Sequence, residues 1–388
     1  MLRFFTAGES HGKGIFALID GFPANFEVDF DFINNELARR QKGYGRGGRM
    51  KIEKDRVEFL SGVRLGKTLG SPILMAVWNK DYENWKEIMK PEPGELEEDK
   101  KLTKPRPGHA DLPGVIKYGF DDIRNVLERA SARETVGRVL AGSLCKNALL
   151  ELGIFVGSYV VSIGSAQVNE ESYKSLSFKE RFELAERSEV RIPVRDESAE
   201  RMFKEEIDRA RENGESLGGV FEVFAIGVPP GLGSHTQWDK RLDGRIARAV
   251  MSVQGIKGVE IGIGFRGAKL KGSQFHDEIF YDGKFYRKTN NAGGIEGGIS
   301  NGEPIVVRAF MKPIPTLYKP LRSVDIKTKQ AFKAEVERSD ICAVPSASVV
   351  AESMLAIVLF DAILETCPAD SFDRLKEYWK ERHERYSL

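Results

Sequence analysis

The sequence predicts an α+β fold with helices packed against antiparallel β-sheets, in one large domain or two ordinary ones. Three observations lead there. The 388 residues are 41% hydrophobic and 30% charged, enough to fill a large core and to cover it. The β-prone runs do not alternate regularly with helices, which disfavours a doubly wound parallel sheet. Each half of the chain contributes strands and one long apolar helical pattern, at 131 to about 152 and at 346–366, a hint of internal duplication without a clean repeat.

The first strands are at 2–5 and 15–19, separated by the glycine-rich turn Gly8-Glu9-Ser10-His11-Gly12-Lys13-Gly14. A short helix follows, capped by Asp29 or Asp31, with Phe32, Leu37 and Ala38 facing inward. It runs into a basic, glycine-rich loop from Arg39 to Met50. Strands are expected at 57–60 and 72–78, and the charged, proline-bearing stretch 79–104 reads as a surface excursion. Ser131-Ala132-Arg133-Glu134 spells a capping box, in which hydroxyl and carboxylate each satisfy an orphan amide. Val136, Val139, Leu140, Leu144, Ala148 and Leu149 then recur at helical spacing until Gly153. Further strands are expected at 155–161, 220–228, 259–265 and 305–310, with an amphipathic helix at 197–212.

A net charge of +1 creates no overall positive field, so neither nucleic acid nor an anionic membrane is an expected partner. Cys145, Cys342 and Cys367 are sparse and odd in number, which suits a reducing cytoplasm and gives neither a disulfide framework nor metal-ligand spacing. The N-terminal MLRFFTAGESHG lacks signal-peptide features. The apolar run 349–364 is interrupted by Glu352 and Asp361 and reads as a buried helix. A cytoplasmic protein is expected.

Gly8 to Gly12 matches G-x-S-x-G, which would make Ser10 a hydrolase nucleophile, but β-prone residues follow where an elbow needs a helix. A P-loop does not fit either, because Lys13 precedes Gly14 and the glycines are too close. A plain glycine turn remains the alternative to a functional one. Arginines recur beside glycine and proline: Arg40, Arg46 and Arg49 in the first loop, Arg106 before Pro107-Gly108-His109-Ala110-Asp111, Arg129 and Arg133 around the capped helix start, and Arg338. Two unit charges about 4 Å apart interact by roughly 4 kcal/mol at an effective dielectric near 20. Their convergence therefore makes sense around a polyanion, which guanidinium forks bind in bidentate fashion. Solvated basic loops, or an RNA-binding module, are the other readings.

His11 and His109 stand among small and charged residues, where a histidine in an arginine-lined pocket could act as a general acid. No histidine has a ligand companion at metal spacing. The glycine-rich stretch 290–302 leads into a strand and then Lys312-Pro313-Ile314-Pro315-Thr316, with no Rossmann fingerprint.

Taken together, GESHG at 8–12, GYGRGGRM at 43–50, RPGHAD at 106–111, RASARET at 129–135, GVEIG at 258–262, NNAGGIEGGISNGEPI at 290–305, KPIPTLYKPL at 312–321 and ERSDICAVP at 337–345 resemble the blocks of the chorismate synthases, of the longer bacterial type. The resemblance implies one catalytic domain over 1–388, a helical layer sandwiched between antiparallel β-sheets, assembled as a homotetramer that binds FMN and 5-enolpyruvylshikimate-3-phosphate. It also implies an anti-1,4-elimination of phosphate that needs reduced flavin yet makes no net redox change. Carried over by position, Arg129, Ala130, Ser131, Gln254, Gly255, Gly297, Lys312, Pro313, Ile314, Pro315, Thr316 and Arg338 would hold FMN. Ser10, Arg40, Arg46, Arg49, Arg106 and Arg133 would face the substrate, Arg40 and Arg46 also being the positions tied to NADPH. His11 would protonate the departing phosphate, His109 would stabilise the charged flavin, and Asp340 would manage the proton at its N5. The chain carries no evident reductase domain, so an external flavin reductase is an expected partner.

Overall fold

The computed structural model describes residues 1–46, 54–94, 96–334 and 339–386. Its first half contains β1 (Arg3–Ala7), β2 (Gly14–Asp20), α1 (Phe30–Gln41), β3 (Glu58–Ser61), β4 (Ile73–Trp78), α2 (Asp111–Tyr118), α3 (Arg124–Ala130) and α4 (Thr135–Glu151). There follow β5 (Phe155–Ile163), β6 (Ala166–Gln167), α5 (Phe178–Arg187), α6 (Glu197–Glu212), β7 (Gly219–Ile226), α7 (Leu242–Met251), β8 (Ile256–Ile261), β9 (Ile305–Met311), α8 (Val344–Thr366) and α9 (Phe372–Tyr386). Two antiparallel sheets dominate, one of four strands in the order β1-β2-β4-β3 and one of five in the order β8-β9-β7-β5-β6. The mixture of helices and small antiparallel sheets is α+β.

Helix α4 packs on β2, α8 packs on β5 and β7, and the two helices pack on each other. Each therefore needs apolar residues on more than one side, and both are buried nearly all round. Helix α8 is long and apolar enough to cross a membrane, but 94% of its apolar window is buried inside the chain, so that surface is already covered. It starts at Val344, with Pro345 in the first turn, where a missing N–H costs nothing. Helix α4 ends where Gly153, at φ +81°, turns the chain so that Ile154 N–H reaches Leu149 O.

The α4–α8 contact depends on a glycine. A Cβ on Gly142 would lie 2.2 Å from Ser353 Cβ and 2.4 Å from Ser353 Cα of α8. Helix propensity alone would make Gly142→Ala stabilising by about 1 kcal/mol. Overpacking opposes it with roughly 1–3 kcal/mol, and more where backbone must move. We expect a lower unfolding midpoint in urea for Gly142→Ala; a raised midpoint would mean the two helices can separate freely.

One open expectation is resolved and three are corrected. Asp29, not Asp31, caps α1, accepting from Phe32 N–H at 2.8 Å. Ala38 faces solvent, while Glu36 and Arg39 turn inward because they bond Glu352 and Lys146 in the core. The capping box at Ser131 does not form: the Ser131 hydroxyl accepts from Arg133 N–H, but the Glu134 carboxylate is drawn away by Thr6, Arg138 and Gln254. The strand expected at 259–265 ends at Ile261, and Phe265, 79% exposed, sits in a 3₁₀ turn.

Candidate active site

The turn from Gly8 to Gly14 joins β1 to β2, so a strand follows Ser10 and the nucleophile-elbow geometry is absent. Gly8 has φ +100°, and a Cβ there would sit 2.1 Å from Gly14 O, so only glycine closes the turn. Helix α3 holds it in place. Ser10 N–H donates to Glu128 O (3.1 Å) and His11 N–H to Glu128 Oε2 (2.8 Å). His11 Nδ1 lies 2.9 Å from Glu128 Oε1. Asn79 Nδ2 donates to the carbonyls of Glu9, Ser10 and Gly12. The His11 ring stacks on Trp85 with centroids 4.1 Å apart. The Arg124 guanidinium lies 4.9 Å from the Trp85 ring centre and donates to Glu128 Oε1 at 3.1 Å. Burial by itself would raise the Glu128 carboxyl, but the hydrogen bond and charge of His11 hold it below its usual range.

Asn79 and Trp85 thus bring the start of the 79–104 segment onto the site, which the surface-excursion reading missed. Their residue types carried no signal, and neither did Glu128, because a lone carboxylate on a helix is ordinary until its partner is known.

A second cluster forms where α2 begins. Arg106 Nε donates to Asp111 Oδ2 (2.9 Å), and His109 Nδ1 lies 2.5 Å from Asp111 Oδ1. Burial pushes the Asp111 carboxyl up, yet His109 and Arg106 bring it well below the ordinary carboxylate range. Arg106 Nη1 also donates to Thr316 Oγ1 (3.1 Å), and Lys312 Nζ to Gly108 O (2.6 Å). The 312–316 loop and the 106–111 loop are therefore tied at both ends.

The third cluster contains the arginines. Arg133 Nη1 donates to both oxygens of Asp55, at 2.8 and 2.9 Å, and Arg40 Nη2 reaches the same carboxylate at 3.3 Å. Arg46 pairs with Asp340 at 2.7 Å. Burial lowers the Arg40 pKa to about 10; Asp55 opposes the shift, and the Arg133 and Arg46 charges add to it. Convergence is real for Arg40, Arg46 and Arg133, but the compensation is not left to a ligand. Asp55, Asp340 and Asp111 already supply part of it, and none could be paired with an arginine from sequence separation. Arg40 Nε remains buried with no hydrogen-bond partner among the described residues.

The positions expected to hold a cofactor join these clusters. Arg129 donates to Thr6 O and Gly8 O, Thr6 Oγ1 to Glu134, Gln254 Nε2 to Glu134, and Lys312 N–H to Gly255 O. The Ser131 hydroxyl lies 3.2 Å from that of Ser10. Ala130 ends α3, and Pro313, Ile314 and Pro315 span the loop, with Ile314 O accepting from Ser216 Oγ. Gly297 stands apart. Its hairpin bonds the first residue of α7, whereas Gln254 follows the last. The ten residues of α7, about 15 Å of helix, run from that contact towards Gln254. Arg49 and Arg338 lie outside the described residues. Arginine content alone does not mark a site: a separate cavity of about 350 Å³ is lined by Arg181, Arg266, Arg287 and Arg308, the last three paired with glutamates.

A family model described as chorismate synthase matches residues 2–364. The chain belongs to the chorismate synthase family. It is 61% identical over 381 residues to the chorismate synthase of Sulfurihydrogenibium sp. (strain YO3AOP1), covering 97% of each chain. It is 60% identical to that of Aquifex aeolicus (strain VF5), covering 98% of this chain and 97% of the relative. A solved chorismate synthase crystal structure superposes with a TM-score of 0.80 at 48% identity, covering 100% of this chain and 98% of that one. The chain is accordingly a lyase of the shikimate pathway, which feeds aromatic amino acid biosynthesis.

Chorismate synthases use reduced FMN, and two observations of this chain fit that group. Gln254 Oε1 is buried with no partner among the described residues, an acceptor suited to a ring or ribityl donor. The Lys312 ammonium, whose pKa is lowered by burial and by the Lys257 charge, is one that a bound phosphate would stabilise.

Proposed function

We propose that the connected clusters bind 5-enolpyruvylshikimate-3-phosphate and eliminate its phosphate to give chorismate. The observation that carries this reading is the shared Asp55. Arg40 and Arg133 share the buried carboxylate of Asp55, Arg46 stands close enough for its charge to lower the Arg40 pKa, and Arg40 Nε has no hydrogen-bond partner among the described residues. A ligand with a phosphate and two carboxylates would offer acceptors to such a gathering of guanidiniums. Ser10, Arg40, Arg46, Arg49, Arg106 and Arg133 hold those anions. His11 gives a proton to the departing phosphate. His109, oriented by Asp111, places its positive charge beside the flavin, and Asp340, held by Arg46, is the proton-accepting group there. Arg129, Ala130, Ser131, Gln254, Gly255, the 312–316 loop and Arg338 hold FMN, with Gly297 the weakest member of that set. Reduced FMN, when bound, supplies electron density that eases phosphate loss without net redox change.

The same reading makes 1–388 one catalytic domain, with α4 and α8 as a helical layer between two sheets and the two halves related by duplication. It also makes the protein a cytoplasmic homotetramer. NADPH beside Arg40 and Arg46, or an external reductase, would keep the flavin reduced.

The test is anaerobic release of phosphate and chorismate from 5-enolpyruvylshikimate-3-phosphate, with FMN and dithionite each supplied or withheld. Turnover that requires reduced FMN is expected. Absence of turnover in folded, FMN-binding protein would overturn the substrate assignment.

A further inference from the structure

We infer that Asn79 is a positioning residue that fixes the turn carrying Ser10 and His11 against the guanidinium of Arg133. The inference rests on the proposed reading of that turn and that arginine as substrate-facing, and it adds the group that sets the distance between them.

Asn79 follows the last residue of β4, and its N–H donates to Lys13 O at 3.0 Å, so it carries the pairing of β4 with β2 to the edge of the turn. It also stands at the N-cap of a 3₁₀ turn, Lys80–Asn84, where an asparagine side chain ordinarily accepts from the amides that follow. Here it makes no such bond. A local preference given up in this way is what a functional site leads one to expect. The side-chain amide is buried and engaged on both sides instead. Its Oδ1 accepts from Arg133 Nε at 2.9 Å. Its Nδ2 donates to Gly12 O at 2.8 Å and, more weakly, to Glu9 O and Ser10 O at 3.2 and 3.3 Å. A guanidinium only donates and a carbonyl only accepts, so one orientation of the amide satisfies both neighbours and the flipped one satisfies neither.

Each neighbour is anchored on its far side. Both oxygens of Asp55 grip Arg133 Nη1, and the two side chains are buried together. The turn rests on Glu128 through Ser10 N–H and His11 N–H. Any donor could satisfy the three turn carbonyls. The bond from Arg133 is what makes this amide a spacer between turn and guanidinium, so that a group held by Arg133 and a group acting from the turn keep one separation.

The test is Asn79→Ala in the FMN-loaded enzyme, read by kinetics and by hydrogen exchange of the turn. Arg133 keeps its bonds to Asp55, so KM should barely change. The turn loses its donor, and kcat should fall by about 10–10²-fold, since displacing a reacting group by about 1 Å costs on that order. The amides of Ser10, His11 and Gly12 should exchange at least roughly tenfold faster, with those of β7 unchanged. Asn79→Asp keeps an oxygen for Arg133 but sets a second one against the carbonyls. It should speed the same exchange and also raise KM, because its charge offsets that of the guanidinium. If Asn79→Ala fails to fold, Asn79→Ser is read in its place, since its shorter hydroxyl cannot span turn and guanidinium together. Parental exchange in the turn would overturn the inference, as would faster exchange with kcat intact. Absence of turnover by the parent would instead remove the substrate reading, and exchange in Asn79→Ala would still decide whether the amide holds the turn.

Discussion

Replacing His11 with alanine is expected to reduce kcat by about 10²–10⁴-fold, the range that general acid–base assistance supplies. KM for the substrate should change little, since the anions are held by arginines. FMN affinity should also hold, because the Arg129–Thr6–Glu134–Gln254 network does not run through the imidazole. Nor should the fold fail. Glu128 keeps Arg124 as a counter-charge when His11 is lost, so no isolated carboxylate is left buried. Steady-state kinetics and flavin titration on the purified variant decide the matter: near-normal turnover would remove His11 from the mechanism. A loss confined to KM would make it a binding residue.

Glu352→Gln is expected to cost about 3–5 kcal/mol of stability, the usual consequence of taking one partner from a buried ion network. Glu352 lies inside α8 with its side chain fully buried. It accepts from Arg39 at 2.8 and 2.9 Å, from Lys146 at 2.5 Å and from Ser158 at 2.5 Å, and Arg191 lies at 3.3 Å. Glu36 and Glu186 complete a balanced set of three cations and three carboxylates. Removing one negative charge leaves a surplus cation where water cannot reach it.

The network also reaches the site: Arg39 precedes Arg40, whose carbonyl accepts from Ser346 Oγ at the start of α8. Burial alone would raise the Glu352 carboxyl, but Arg39, Lys146 and Arg191 hold it far below its usual range. Its folded pKa thus lies below the unfolded one, near 4.3. Its stabilisation is present above that value and is lost as pH falls towards the folded pKa. Urea unfolding at pH 7 should show the full deficit of the variant, and the gap to the parent should narrow on acidification. A deficit under about 1 kcal/mol at pH 7 would mean that water or rearrangement solvates the remaining cations.

Local patterns carried the fold class far. The periodic apolar residues of α4, the stop at Gly153 and the hairpin around Gly8 depend on neighbours within a turn or two, and the structure has them where expected. Errors arose where a distant partner overrode a local preference. Ala38 lost the inward face to Glu36 and Arg39 because Lys146 offers a partner to the first and Glu352, more than 300 residues away, to the second. Glu134 left the capping box because Thr6 and Gln254 compete for its carboxylate.

The site divides in the same way. The sequence by itself determined the family, through ordered blocks along nearly the whole chain, and with it the lyase activity and which arginines and histidines to watch. Only the tertiary structure decided what those residues do to one another. Asp55 lies between Arg40 and Arg133, Glu128 and Trp85 hold His11, and Asp111 orients His109. The physical reason is that hydrogen bonds and charge pairs act over a few ångströms of space, whereas Glu128 lies 117 residues from His11 and Asp55 lies 78 from Arg133 along the chain.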